Sequence, residues 1–132
     1  MYKIINQYIE VYVPEARWQD STVQHIIASV TALVGGATVT KADGLYIRKD
    51  GITTDEEQMR IVHWDFSRHD YGEVRRRVAF LVEQLLDLGE ECVLRKRLLD
   101  GNYRAELLYA QPEGLLQHQP PLPLDAPQPS VP

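Results

Sequence analysis

The sequence contains a single cysteine, Cys92, among its 132 residues, so an internal disulfide cannot form. It has no apolar run near the roughly 18 residues that a membrane-spanning helix needs. Its first residues, MYKIIN, lack the basic and then apolar segments of a secretion signal. These absences are typical of proteins of the cytoplasm, where thiols stay reduced. We therefore predict a cytoplasmic protein without membrane association.

Basic residues are in the minority: 14 lysines and arginines stand against 19 aspartates and glutamates, for a formal net charge of −5. A general nucleic-acid binder needs a basic stripe that displaces counterions from phosphates, so this balance disfavours nucleic acid as a partner. Eight of the fourteen bases nevertheless lie between Arg68 and Arg104. The clusters at residues 75–77 and 95–97 predict a solvated helix face and an exposed or edge strand guarded by charge.

Signatures of common catalytic and cofactor sites are missing from the sequence. There is no glycine-rich phosphate loop, no CxxC pair, no HExxH motif and no nucleophile–base signature. Cys92 lies beside apolar residues, which predicts a buried structural thiol. We therefore predict no cofactor.

The sequence does contain a regular succession of strand and helix patterns. Two segments carry apolar residues at helical spacing and end in glycine, at residues 21–34 and 70–88. Ser21 with Gln24, and Asp70 with Glu73, have the spacing of a capping box at the helix starts. Strand patterns occupy residues 4–13, 37–48, 57–66, 91–99 and 103–109, with tight turns at Asp50-Gly51 and Asp100-Gly101.

The order of these elements, β-α-β-β-α-β with an additional C-terminal strand, predicts a ferredoxin-like α+β fold. Each helix carries one apolar stripe, so both helices should pack on one face of an antiparallel sheet. We predict a single domain over residues 1–110. Seven of the eight prolines fall in the last 21 residues, so residues 111–132 are expected to form a flexible proline-rich tail.

The opposite face of the sheet should then lack a helix, and we call it the open face. Alternation within the strands assigns two apolar sets to the helix side: Ile9, Val11 and Val13, and Val62, Trp64 and Phe66. The open face then carries Tyr8, Glu10, Tyr12, Met59, Ile61, His63, Asp65 and Tyr46. An exposed surface with this many apolar side chains is commonly covered by a partner chain. We predict a non-catalytic binding module that forms a homodimer through Tyr8, Glu10, Tyr12, Ile61 and His63, with another protein as a possible partner.

The segment HWDFSRHD, residues 63–70, suggests an alternative function. His63, Asp65 and His69 are candidate metal ligands or acid–base groups, and would make the chain a small dimeric enzyme with a pocket centred on His63 and Asp65. The strand His63-Trp64-Asp65 also resembles the histidine-hydrophobic-histidine motif of replication-initiator nucleases, with aspartate in place of the second histidine. The structural interpretation is that His63 pairs with a carboxylate on the sheet and Asp70 caps the next helix.

The stretch LVGGATVTKADGLYIRKDG, followed by MRIVHWDF, resembles small uncharacterised bacterial and plasmid- or phage-borne proteins. The resemblance covers roughly residues 9–66. It implies a ferredoxin-like fold and an origin on a mobile element, and it carries no activity or functional residues. A third hypothesis for such a protein is an inhibitor or adaptor that targets a host protein.

Overall fold

The computed structural model describes residues 1–48 and 50–110; the predicted proline-rich tail, residues 111–132, lies outside them. Five strands form the sheet: β1 (Gln7–Pro14), β2 (Thr38–Ile47), β3 (Thr54–Phe66), β4 (Cys92–Leu99) and β5 (Asn102–Tyr109). The helices are α1 (Glu15–Trp18), α2 (Ser21–Val34) and α3 (Tyr71–Asp87), with a 3-10 turn at Arg68–Asp70. The short helix α1 lies where the sequence predicted a loop. No helix among the described residues has both the length and the apolar character to cross a membrane.

The sheet is antiparallel throughout, with the strand order β2-β3-β1-β4-β5. The first strand therefore lies at the centre, between β3 and β4. The prediction that residues 95–97 form an edge strand is wrong, because β5 pairs with β4 along its whole length. The tight turn that joins them has Asp100 at φ 52° and Gly101 at φ 79°, the two positive values that a two-residue hairpin requires.

Both long helices pack on one face of the sheet, as predicted. The inward side chains of β1 and β3 join the stripes of α2 and α3 in one core, whose largest fully buried side chain is Trp64. The members from the sheet are Ile9, Val11, Val13, Val62, Trp64, Phe66, Val93 and Leu99. The predicted orientation of β1 and β3 is therefore confirmed.

Both predicted capping boxes are wrong. Asp20, one residue before Ser21, caps α2 by accepting a hydrogen bond from the Val23 backbone at 2.9 Å, while Gln24 donates to the Trp18 carbonyl. Asp70 stands at the N-cap position of α3 but makes no side-chain capping hydrogen bond. A carboxylate one position earlier can satisfy the same orphan amides, so the motif spacing alone does not decide which residue caps.

The acidic partner expected in the second box has another role. Glu73 accepts hydrogen bonds from the guanidinium groups of Arg76 and Arg77, one helical turn further on. These bonds lower the pKa of Glu73 to about 2. The arginine run is thus partly neutralised on its own helix, and Arg77 also donates to the Ser29 carbonyl and ties α3 to α2.

Candidate ligand-binding cleft

The open face holds the residues that the sequence singled out. Tyr8, Glu10, Tyr12, Ile61 and His63 all lie on it and are half-buried, because each alternates with a core residue of β1 or β3. Direct pairing of Glu10 with His63 in the antiparallel register brings their side chains together across 53 residues of chain. The interpretation that His63 pairs with a carboxylate on the sheet is confirmed.

His63 lies between two carboxylates. Its Nδ1 is 2.8 Å from Glu10 Oε1, and its Nε2 is 2.9 Å from Asp65 Oδ1. The Tyr8 ring stacks on the imidazole with centroids 4.9 Å apart. Burial disfavours the charged imidazole, but the hydrogen bonds to Asp65 and Glu10 outweigh it and raise the pKa of His63. Both ring nitrogens are engaged, so this group is arranged as an ionic clamp between β1 and β3.

The third candidate from the same segment is not part of this group. His69 lies on the 3-10 turn beyond the end of β3, and the described partners of His63 are Glu10 and Asp65. Within residues 1–48 and 50–110, no three histidine, cysteine or acidic side chains are grouped to hold a metal ion. The structure thus brings together His63 and Asp65, and it leaves out His69.

A cleft opens at one end of the open face. Its volume is about 860 Å³, within the usual range for small-molecule sites. The ends of β1, β2 and β5 and the starts of β3 and β4 form it, and the β2–β3 hairpin extends along one side. The lining side chains with polar or aromatic groups are Tyr12, Tyr46, Arg48, Asp50, Asp55, Glu56, Glu57, Glu90, Glu91 and Cys92; Met59, Leu94 and Leu107 are among the apolar ones.

Tyr46 has its position because the neighbouring residue on the same face of β2 is glycine. A Cβ atom on Gly44 would lie 2.9 Å from both Cε2 and Oη of the Tyr46 ring. The ring therefore lies flat over the backbone at Gly44 instead of projecting from the sheet. Burial raises the pKa of Tyr46, and the nearby Glu57, Cys92 and Glu90 raise it further, so the phenol keeps its proton.

Glu57 pairs directly with Gly44 across the β2–β3 ladder, which places the carboxyl group next to the Tyr46 ring. Burial raises the pKa of Glu57, and the negative charge of Glu90 adds to this effect. Glu90 itself is fixed by Arg17, whose Nε donates to its Oε2 at 2.9 Å. The cleft thus contains two adjacent groups, a phenol and a carboxyl, that are held towards their proton-carrying forms.

The cleft is acidic overall. Among the described residues, six carboxyl groups line it against one arginine, Arg48, which is already paired with Asp55 at 2.6 Å. Cys92 lies in its wall and is half-buried, in contrast to the fully buried thiol that the sequence predicted. Burial raises the pKa of this thiol, so it stays protonated and is a poor nucleophile. Carboxylates and aromatic faces together attract an organic cation.

Sequence reasoning placed Tyr46 on the open face but missed Glu57 and Glu90 as site residues. One signal could have found Glu57. The predicted strand 57–66 already included it, and alternation back along that strand from His63 through Ile61 and Met59 reaches position 57 on the same face. Glu90 directly follows the helix end at Gly89, where the sequence shows only an acidic linker.

No family model and no curated protein matches the chain. Solved structures that are similar to it include three that cover most of the chain. A phage SAM lyase in complex with S-methyl-5'-thioadenosine has a TM-score of 0.55 and 14% identity, and covers 83% of this chain and 95% of its own. The phage SAM lyase in its apo state has a TM-score of 0.52 and 12% identity, with 84% and 97% covered. A variant of CutA1 from Pyrococcus horikoshii OT3 has a TM-score of 0.43 and 10% identity, with 84% and 91% covered. At these identities the likeness to the phage lyase shows an α+β fold of the same kind.

Proposed function

We propose that the open-face cleft binds S-adenosylmethionine and that the chain cleaves it to S-methyl-5'-thioadenosine. The observation that carries the proposal is the adjacent pair Tyr46 and Glu57 in an acidic, aromatic cleft of about 860 Å³, where burial raises the pKa of each group. The cleft has the size of a nucleoside site, and the similar phage lyase binds the thioadenosine. We also propose that the fold is ferredoxin-like in its topology, which the strand order β2-β3-β1-β4-β5 supports.

The chemistry of such a cleavage suits this cleft. The substrate sulfur is a sulfonium cation, which carboxylates such as Glu90 attract. When the bond from sulfur to the amino-acid chain breaks, the electron pair stays on sulfur and the thioether product is neutral. Without added water, the carboxylate of the amino-acid fragment attacks the carbon that leaves sulfur, so a C–O bond forms as the C–S bond breaks and the fragment is released as a lactone. The product loses the electrostatic attraction, which favours its release.

Tyr46 and Glu57 have the roles of positioning the substrate and avoiding excess ground-state binding. As proton carriers, the phenol and the carboxyl group can donate hydrogen bonds to the ribose or to the amino-acid carboxylate. An ionised Glu57 would instead bind the sulfonium cation more tightly than the transition state, in which that charge is disappearing. The raised pKa of Glu57 favours the protonated carboxyl group, which avoids this cost.

The direct test is incubation of the purified chain with S-adenosylmethionine and chromatographic detection of S-methyl-5'-thioadenosine. We expect turnover, and a loss of about 10²-fold in kcat/KM for Glu57→Leu and Tyr46→Phe, each of which removes one preorganised donor. Glu83→Leu, on the exposed surface of α3, is the matched control and should match the wild type. Absence of turnover together with absence of calorimetric binding of S-methyl-5'-thioadenosine would contradict the proposal.

A second proposal is that the open face also mediates self-association into a homodimer. Tyr103, Leu107 and Tyr109 lie on this face of the edge strand β5, and each is more than half exposed. They extend the partly apolar surface that Tyr8 and Tyr12 begin on β1. A contiguous apolar surface of this kind is commonly covered by another chain.

Size-exclusion chromatography with light scattering at tens of micromolar protein tests the self-association. We expect a dimer, and a shift towards monomer for Leu107→Glu. Phe80→Glu on the helix side, where Phe80 is half exposed, is the matched control and should leave the mass unchanged. A monomeric wild-type chain at this concentration would count against the proposal.

A further inference from the structure

Two arginines lie on the helix side of the interior strand β4. Arg95 pairs in register with Val11, and Arg97 pairs with Ile9, so both point to the side of the sheet that carries the core. Their side chains are only 13% and 12% exposed. Guanidinium groups are rarely buried to this extent unless charge and hydrogen bonds compensate them.

The compensation within the described residues is incomplete. One carboxylate serves both groups: Glu106 Oε1 lies 3.1 Å from Arg95 Nη2 and 2.9 Å from Arg97 Nε. Within residues 1–48 and 50–110, the buried Nε atoms of both arginines have no hydrogen-bond partner, so the 2.9 Å contact of Arg97 is ionic without the alignment of a hydrogen bond. Burial, followed by the charge of Arg95, lowers the pKa of Arg97.

A third arginine adds to the imbalance. Arg104 on β5 stands directly across the ladder from Arg97, and like charges in that position destabilise a strand pair. Three guanidinium groups thus face one carboxylate, an excess of two positive charges on a protein whose net charge is −5. Residues that lower stability in this way are expected at sites whose function is binding.

We propose that Arg95, Arg97 and Arg104 form a binding site for a small oxyanion, a phosphate or carboxylate group, on the helix side of β4 and β5. The planar guanidinium fork matches both groups, and an anion would supply the acceptors that the buried Nε atoms lack. The anion can approach from the free edge of β5, where Arg104 is exposed. This site lies on the opposite side of the sheet from the cleft, so it does not depend on the function proposed there.

Thermal unfolding of the full chain tests the site, with sodium phosphate compared with sodium chloride at equal ionic strength. We expect phosphate to raise Tm in a saturable way beyond chloride, and a parallel series in acetate to distinguish a phosphate from a carboxylate ligand. Arg97→Met should weaken the apparent affinity at least about tenfold, on the scale of losing one charge-assisted hydrogen bond. Arg68→Met is the control, since Arg68 is 80% exposed and pairs with Asp100 on the surface.

Two further variants keep the test informative if Arg97→Met does not fold. Arg104→Met changes an exposed side chain and should also weaken the response to phosphate. Glu106→Gln removes the competing carboxylate, so this variant should bind phosphate several-fold more tightly than the wild type. A Tm response that is equal in phosphate, acetate and chloride, or equal in Arg104→Met and Arg68→Met, would overturn the proposal.

Discussion

Replacing Gly44 by alanine should impair the cleft while leaving the fold intact. The new methyl group would lie 2.9 Å from two atoms of the Tyr46 ring and 3.1 Å from Cζ, whereas ordinary contacts begin at 3.4 Å. The ring must therefore move by about 0.5 Å, because close-packed side chains do not tolerate such an overlap. A displacement of 1 Å can cost about 10²-fold in rate, so half of it corresponds to about tenfold in kcat/KM.

Stability should respond differently from activity. Gly44 lies within β2 and does not have a positive φ, so alanine can adopt its backbone conformation. The reduced freedom of the unfolded chain contributes about 0.4–1 kcal/mol in favour of the variant, which offsets the cost of moving the ring. We therefore expect the free energy of unfolding to change by less than about 1 kcal/mol.

The assay measures three quantities: release of S-methyl-5'-thioadenosine, the calorimetric Kd for that compound, and Tm. Gly36→Ala is the matched control, because a Cβ atom there meets nothing within 4 Å. If Gly44→Ala keeps the turnover and the Kd of Gly36→Ala, the position of the Tyr46 ring does not matter, and the reasoning about the cleft is refuted.

Three other perturbations follow from the contacts described above. Thr31→Val should lower the free energy of unfolding in urea by about 1–3 kcal/mol, because the Trp64 indole donates to Thr31 Oγ1 at 3.0 Å and would be left unpaired in the core. The same substitution in a Trp64→Phe background should cost less. Equal costs in the two backgrounds would exclude this hydrogen bond as the cause. Because folding raises the pKa of Glu57 above 4.5, wild-type stability should fall as the pH rises through the folded pKa. Glu57→Gln should remove this fall when Tm is measured from about pH 4 to about pH 7. An unchanged dependence of Tm on pH would contradict the raised pKa. Folding raises the pKa of His63 above 6.5, so the stability that protonated His63 contributes is complete below that pH and is lost as the pH rises through the folded pKa. His63→Gln should therefore flatten the dependence of stability on pH between about pH 6 and about pH 8. A variant that keeps the wild-type slope would argue against the ionic clamp.

The sheet and its helix side were predictable because alternation and helical spacing are local patterns. Ile9, Val11 and Val13 alternate with polar residues, and an interrupted register would have exposed them. The caps were less predictable, since Asp20 and Ser21 are adjacent and both suit an N-cap. The edge assignment of β4 failed because charge alternation also occurs on an interior strand when its arginines pair with a neighbour such as Glu106.

The site could be predicted only in part. The pairing of His63 with a carboxylate follows from the register of two strands whose faces were already assigned. The cleft joins Tyr46, Glu57 and Glu90, which belong to a strand end, a strand start and a linker after a helix. Their proximity depends on the length of the β2–β3 hairpin and on the entry point of β4, and neither is encoded in a local pattern.

The central position of β1 has a consequence for the order in which the chain can fold. β1 is synthesised first among the strands, yet it needs β3 on one side and β4 on the other. The side chain of Gln7 at its start is buried and accepts a hydrogen bond from the Asp100 backbone at 2.7 Å, across 93 positions. Contacts of such long range slow folding, because the chain must close a large loop before they form. A nascent chain on the ribosome therefore keeps one edge of its oldest strand unpaired until Leu99 has emerged.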